Sequence, residues 1–334
     1  MSKPPKLSMA HLPTPIEEFS RLRPGLWVKR DDFSGCELSG NKVRKLEYLV
    51  AEATEQQADT LITAGDVQSN HARATAVVAS RLGLRSLLVL EGPAQPDDWT
   101  IGNMFLDRLV GAEIDWEPEE GNIAARLEAA AQRIRSRGRR PFVIPVGGSN
   151  ELGLWGYIDA AREAMEQCQA ARLRIDRLVC PAGSCGTLAG LLLGVRLAEW
   201  PVQVTGIGIS STAEKKRVFA RALAERAIQQ YKLPLTLAAG EPEIYHYAGM
   251  GYAKSCPEEL ACIIDAARRG GLVLDPVYTG KAFFGLMDMC RRGLVRDREN
   301  VLFFHTGGLL GLLAKARHFD LQPIVSEMTP RRDT

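Results

Sequence analysis

No stretch of the chain reaches the ~18–20 consecutive apolar residues that a membrane-spanning helix needs. The longest apolar region, around LAGLLLGV, reads as a buried helix, so no membrane partner is expected. The opening MSKPPKLSMAHLPTP lacks the apolar core of a signal peptide. The seven cysteines (Cys36, Cys168, Cys180, Cys185, Cys256, Cys262 and Cys290) are odd in number, and no two have CxxC spacing. That speaks against a disulfide framework and against a zinc site, and no metal is expected. Most of these thiols have apolar neighbours, where a free cysteine behaves as a small hydrophobe. The net charge is +2, and no basic block exceeds short runs such as RSRGRR. A nucleic-acid partner is therefore not expected, and the predicted location is cytoplasmic.

What remains is an ordinary globular composition: 334 residues, 46% hydrophobic and 25% charged, long enough for two domains. Strand-like and helix-like segments alternate. The predicted strands are LWVKR, DTLITAG, RSLLVLEG, AEIDWEP, PFVIPVGG, DRLVCPAG, VQVTGIGIS, LVLD and NVLFFHTGG, with helical patterns between them. They are short continuous apolar runs, as expected of parallel strands covered on both faces. The order predicts an α/β protein with open, mostly parallel sheets. Glycines collect in the loops TAGD, VGGSN, PAGSCGT and FHTGG. Ligands of open α/β sheets bind at the carboxyl ends of strands, so these loops point to one cleft.

Several stretches carry possible chemistry. LSGNKVRKLEYLVAEA (residues 38–53) has helical apolar spacing, yet it puts Lys42 and Lys45 near its start. The positive end of a helix dipole favours anions there, not cations. CPAGSCGTLAG (180–190) runs from a buried strand through small residues into an apolar helix, which suits a phosphate cradle. It fits neither GxGxxG nor the P-loop pattern, and a plain tight turn accounts for it equally well. In GDVQSNHARA (65–74), Ser69 or Asn70 is a natural helix cap. Gln68, Ser69, Asn70 and His71 nonetheless put four hydrogen-bonding side chains at one strand end. LDPVYTGKAFFG and FFHTGG each carry a threonine beside glycine, Thr279 and Thr306, which also fit as caps. Tyr245, Tyr247 and Tyr252 cluster in YHYAGMGYAK.

Together with HLPTPIEE and WVKRDDFSG, these stretches resemble the cysteine desulfhydrase and aminocyclopropanecarboxylate deaminase family over nearly the whole chain. GNKVRKLE with QSN some two dozen residues later is the specific combination. The family implies pyridoxal 5′-phosphate as cofactor and the tryptophan synthase β-type fold, fold type II. In it Lys42 carries the cofactor as a Schiff base, Lys45 meets the cofactor phosphate, and Gly183, Ser184, Cys185, Gly186 and Thr187 form the phosphate cradle. Asn70 is implied as partner of the ring hydroxyl and Thr306 of the pyridine nitrogen. Ser69 is implied as an acid/base residue, and Tyr252 and Tyr278 as the aromatic pair flanking the substrate. A lysine that forms an imine must be neutral, and a positive helix end with nearby cations favours that form.

The resemblance implies α,β-elimination from a small β-substituted amino acid, cysteine and especially D-cysteine, to keto acid, ammonia and sulfide. Cysteate sulfo-lyase, aminocyclopropanecarboxylate deaminase and amino acid racemase are the alternatives. Thr279 stands where the deaminases resemble one another in carrying a glutamate, and His71 where they carry glutamine. Thr279 and Thr306 are thus read as a neutral pair near the pyridine nitrogen. Asp66 replaces a small residue before QSN, either altering the substrate pocket or capping the next helix. Residues 50–155 are expected as a smaller domain and residues 1–49 with 156–334 as a larger one. A homodimer is implied.

Overall fold

The computed structural model describes residues 3–321, apart from 95 and 120. A short antiparallel pair opens the fold, β1 (Ile16–Glu18) and β2 (Leu26–Lys29). Helix α1 (Asn41–Glu55) follows. Then come β3 (Thr60–Asp66), α2 (Asn70–Arg81), β4 (Arg85–Glu91), α3 (Gly102–Leu109), β5 (Glu113–Glu117), α4 (Ile123–Ser136) and β6 (Pro141–Val143). The chain continues through α5 (Trp155–Ala170), β7 (Arg177–Ala182), α6 (Gly186–Leu197), β8 (Gln203–Gly208), α7 (Ala213–Tyr231) and β9 (Glu243–His246). It closes with α8 (Pro257–Gly270), α9 (Thr279–Arg291), β10 (Val301–Phe304) and α10 (Leu309–Ala314).

The strands form two sheets, one in the order β1-β2-β10-β7-β8-β9 and one in the order β5-β4-β3-β6. Every pairing but β1 with β2 is parallel. The central strands β7 and β10 are buried along their whole length. This explains their unbroken apolar sequences, since helices cover both faces. Val43, Leu46, Leu49, Val50 and Ala53 of α1 share one core with Val77 and Val78 of α2, Trp155 and Ile158 of α5, and Leu193 of α6. Helix α1 therefore packs against helices that flank both sheets.

Two details differ from the sequence reading. LVLD is not a strand. Leu272 and Leu274 are buried, but both edges of β10 are already taken by β2 and β7. The Val273 carbonyl instead contacts the His305 ring, 2.7 Å away. Conversely, β1 and β9 are real strands that the apolar pattern did not show, because each is a short edge strand with exposed positions.

On the face of α1 away from the lysines lies a buried ionic network. The Arg44 guanidinium donates to Asp31 Oδ1 and Oδ2 at 2.8 and 3.0 Å and to both oxygens of Glu163 at 2.9 Å. Tyr157 and Thr14 donate to Asp31 at 2.6 and 2.8 Å, and Lys29 donates to Glu163 at 2.5 Å. Arg44, Asp31 and Lys29 are almost wholly buried. Two cations held against two carboxylates satisfy one another, whereas removal of one partner strands a charge. Asp31→Ala is therefore expected to destabilise the protein by ~3–5 kcal/mol, read as a lowered denaturant midpoint. A midpoint within error of the parent protein contradicts this account.

Candidate active site

The loops that follow β3, β7 and β10 meet at the start of α1. Gly40 precedes that helix with φ 98°. A Cβ on Gly40 would stand 2.7 Å from the Thr306 carbonyl, and a Cβ on Gly307 would stand 2.7 Å from Gly40 Cα. Only glycine fits at such an approach. The Asn41 N–H donates to the Thr306 carbonyl at 3.0 Å, so α1 is tied to the β10 loop. This brings Lys42 and Thr306 onto one small cavity together with Asn41, Asn70, Pro181, Gly183, Ser184, Cys185, Thr187, Tyr278 and Gly307. A second cavity of about 360 Å³ adjoins it and shares Lys42, Gly183, Ser184 and Tyr278. It is also lined by Asp66, Ser69, His71, Glu91, Lys216 and Tyr252.

Helix α6 starts after Cys185, which takes the left-handed conformation (φ 62°), and no side chain caps the helix. The Gly186 N–H turns back to the Ser184 carbonyl at 2.9 Å, and the first-turn N–H groups beyond it are left for another partner, which an anion suits. Gly186, Thr187, Cys185 and Ser184 form this turn, and Asn41 donates to the Thr187 hydroxyl at 2.9 Å. Lys45 is fully buried behind the turn rather than on either cavity surface. Its amine donates to the Gly147 carbonyl at 3.1 Å and to Ser149 Oγ at 3.3 Å. It would sit 2.9 Å from a Cβ on Gly186. Ser149 in turn contacts Ser184, 2.8 Å away, so the VGGSN loop braces the cradle. An anionic group with an aldehyde fits here: the open helix end takes the anion and a lysine stands in the same cavity.

Both amines are shifted toward the neutral form. Burial, followed by the charge of Arg73, pulls the Lys42 pKa down to about 8. Burial and the neighbouring Lys42 pull Lys45 well below the usual range. Burial does most of this, a larger cause than the cations that the sequence suggested. His71 is neutral for the same reason and lies 2.9 Å from the Thr63 hydroxyl. Burial and the Asp66 carboxylate hold Tyr252 and Tyr278 protonated. Their hydroxyls lie 2.5 Å apart and their rings meet edge-on, with centroids at 5.9 Å.

Ser69 caps α2, accepting from the N–H groups of His71 and Ala72 at 3.2 and 3.1 Å. Helix cap and cavity residue are one and the same here. Thr279 is placed differently from its sequence reading. It lines neither cavity, and it donates to Asp275 Oδ1 at 2.6 Å while accepting from the Asp275 N–H. Asp275 also collects the N–H groups of Val277, Tyr278 and Thr279, which turns the Thr279 side chain into the start of α9. The neutral pair thus reduces to Thr306.

Two residues in the site carried no sequence signal. Asn103 of α3 donates to Asn70 Oδ1 at 3.0 Å and to the Gln68 carbonyl at 2.9 Å, and accepts from Arg73 at 3.1 Å. Its amide cannot turn, so Asn70 keeps its own Nδ2 free for the cavity. In the sequence it is one polar position of an amphipathic helix. Lys216 donates to the Gly183 carbonyl, yet it reads as one of several solvated lysines in AEKKR.

A family model described as pyridoxal-phosphate dependent enzyme matches residues 7–307. A mitochondrial bifunctional D-cysteine desulfhydrase/1-aminocyclopropane-1-carboxylate deaminase from Arabidopsis thaliana is 40% identical, covering 98% of this chain and 85% of its own. A D-cysteine desulfhydrase from Klebsiella pneumoniae is 39% identical, covering 94% of this chain and 97% of its own. The crystal structure of an ACC deaminase homologue superposes with a TM-score of 0.86 at 35% identity, covering 95% of each chain. O-ureido-L-serine synthase, with a TM-score of 0.65 and 17% identity, shares the fold. A match along almost the entire chain agrees with a site built to hold an anion beside a low-pKa lysine: the protein belongs to the pyridoxal-phosphate dependent enzymes of fold type II, and pyridoxal 5′-phosphate is its cofactor.

Proposed function

We propose that the enzyme eliminates the Cβ substituent of a small amino acid, with cysteine, and D-cysteine above all, as substrate. Keto acid, ammonia and sulfide are the products. One observation carries this choice within the family: among the described residues lining the Lys42–Thr306 cavity, none is acidic. Thr306 offers a hydroxyl, which cannot keep a ring nitrogen protonated as a carboxylate can. Pyridoxal phosphate, when bound, supplies an electron sink for charge developing at Cα. That sink is weaker without a carboxylate, but it suffices where Cβ carries a good leaving group. A cyclopropane ring has no such group. Relatives bear both names, and the neutral cavity favours the desulfhydrase.

The roles of this chain's residues follow. Gly183, Ser184, Cys185, Gly186 and Thr187, with Lys45 behind them, would hold the phosphate. Asn70, its Oδ1 engaged by Asn103, has Nδ2 free to donate to the ring hydroxyl oxygen. Lys42 would carry the cofactor and, as a free neutral amine, take the Cα proton at Nζ. Ser69 Oγ accepts two helix N–H bonds, so its proton is free to be given toward the cavity and its oxyanion is stabilised. Tyr252 and Tyr278 flank the substrate. Residues 50–155 serve as a smaller domain, with the cofactor between it and the remainder. Helices α3 and α10 expose Phe105, Leu109, Leu309 and Leu313, which supports a homodimer. All seven cysteines are unpaired, which supports a cytoplasmic location.

The test of the reading supplies cysteine of each hand and aminocyclopropanecarboxylate at saturation and measures keto acid. The expected result is keto acid with equimolar sulfide from cysteine and little from the cyclopropane. The reverse pattern refutes the assignment. Ser69→Ala is expected to retain cofactor and lose ~10²–10⁴-fold in turnover, the usual cost of one positioned acid/base group; near-parental turnover leaves Ser69 a helix cap alone.

Lys42 is neutral above its pKa of about 8. Capture of pyridoxal phosphate by the stripped enzyme should therefore accelerate about tenfold per unit as pH rises toward that value, and then level off, because the neutral amine is the reactive form. Borohydride should fix the pyridoxyl group on Lys42. A flat pH profile, or a label on another lysine, contradicts the assignment.

A further inference from the structure

Asp66 has no assigned task in the reaction above. It ends β3 and lines the larger cavity with Lys42, Ser69, Tyr252 and Tyr278. Its Oδ1 is shut off from solvent and has no hydrogen-bond partner among the described residues. It is not needed as the cap of α2, because Ser69 fills that place. The other acid of the cavity, Glu91, is engaged by Arg126 at 3.2 Å. Asp66 makes no ion pair within 4 Å among the described residues. Lys315 acts on Asp66 through its charge, while Lys216, also in the cavity wall, spends its amine on the Gly183 carbonyl. Burial raises the Asp66 pKa, and hydrogen bonding from Tyr252 opposes the rise.

Although Tyr252 and the Gln68 backbone act on the carboxyl group, the Oδ1 atom stays a buried acceptor without a donor, which is costly. In a cavity wall, such a group favours a ligand that brings a donor and disfavours one that brings negative charge. The α-carboxylate, common to all amino acids, suits the positive end of α2 at Ser69. Discrimination by Asp66 therefore falls on the group that differs between substrates, the substituent on Cβ.

We propose that Asp66 screens the Cβ substituent of the incoming amino acid, admitting hydrogen-bond donors such as a thiol and excluding anionic groups such as a sulfonate. This rests on the amino-acid elimination reading and narrows it. Cysteine ranks above cysteate, although both carry a good leaving group.

The experiment titrates the holoenzyme calorimetrically with aspartate and with 2-aminobutyrate, each hand tested. Neither has a leaving group on Cβ, and one carries an anion there while the other does not. Wild type, Asp66→Asn and Asp66→Ala are compared. Loss of the carboxylate should tighten aspartate binding by about tenfold or more, the scale of a removed like-charge contact, and change 2-aminobutyrate by less than about threefold. The ratio of kcat/KM for cysteine over cysteate should fall in the same variants, with KM carrying most of the change. Equal shifts for both ligands would assign Asp66 to the α-carboxylate or to the fold and overturn the proposal. Unchanged affinities would overturn it as well. The near-isosteric Asp66→Asn keeps the test available if Asp66→Ala does not fold. If no β-substituted alanine yields keto acid, the elimination reading fails, while the two binding constants still judge Asp66.

Discussion

The buried grip on Arg44 sets the position of everything chemical in this molecule. Successive helical residues turn by about 100°, so Lys42 and Lys45 share a face of α1 while Arg44 points nearly opposite Lys42. On that opposite side Asp31 and Glu163 hold the guanidinium with four bonds between 2.8 and 3.0 Å. Asp31 comes from the stretch after β2 and Glu163 from α5. One side chain thereby clamps α1 to two separate parts of the larger sheet's surroundings. Its reverse face is then fixed against the loops of β7 and β10. Two amines can be forced into a dry site only because the helix that bears them cannot swing away.

The dryness does the chemistry. Lysines at a helix start look misplaced when only the dipole is considered, yet burial outweighs every other cause acting on Lys42 and Lys45. A low pKa suits Lys42 to the nucleophile and base roles proposed for it. The cradle at α6 gives the same region a strong preference for an anion. The cofactor matches the site in charge: burial lowers the pKa of both amines, and a phosphate would bring the negative charge that the open end of α6 favours. Around this, Asn103, Ser149 and Gly147 lock the side chains that face the cavity. These bracing residues come from the chain between β4 and α5, not from the loops that carry the reactive groups.

Much of this was readable from residue order. Unbroken apolar runs marked the buried parallel strands, and the small-residue loops marked strand ends. QSNHAR drew notice because its polar side chains stand where a turn needs few, and GNKVRKLE because it puts lysines at the positive end of a helix. LVLD failed as a strand for a reason outside its own residues, since β10 had no free edge. Thr279 failed as a cavity residue because Asp275, four positions earlier, captures its hydroxyl. Asn103 escaped notice because a single asparagine on a surface-like helix face carries no pattern at all.

Local sequence alone determined the α/β alternation, the helix starts at Ser69 and Gly40, and the small-residue turns at the strand ends. These depend on backbone preferences and on spacing within a few residues, which the chain states directly. Tertiary structure alone decided which groups are dry, which carboxylates are paired and which are not. Arg44 and Lys42 are both cations two positions apart, yet one is held charged by Asp31 and Glu163 and the other is driven toward neutrality. That difference arises from partners 13 and 119 positions from Arg44 and from the exclusion of water, and neither is written in the order of neighbouring residues.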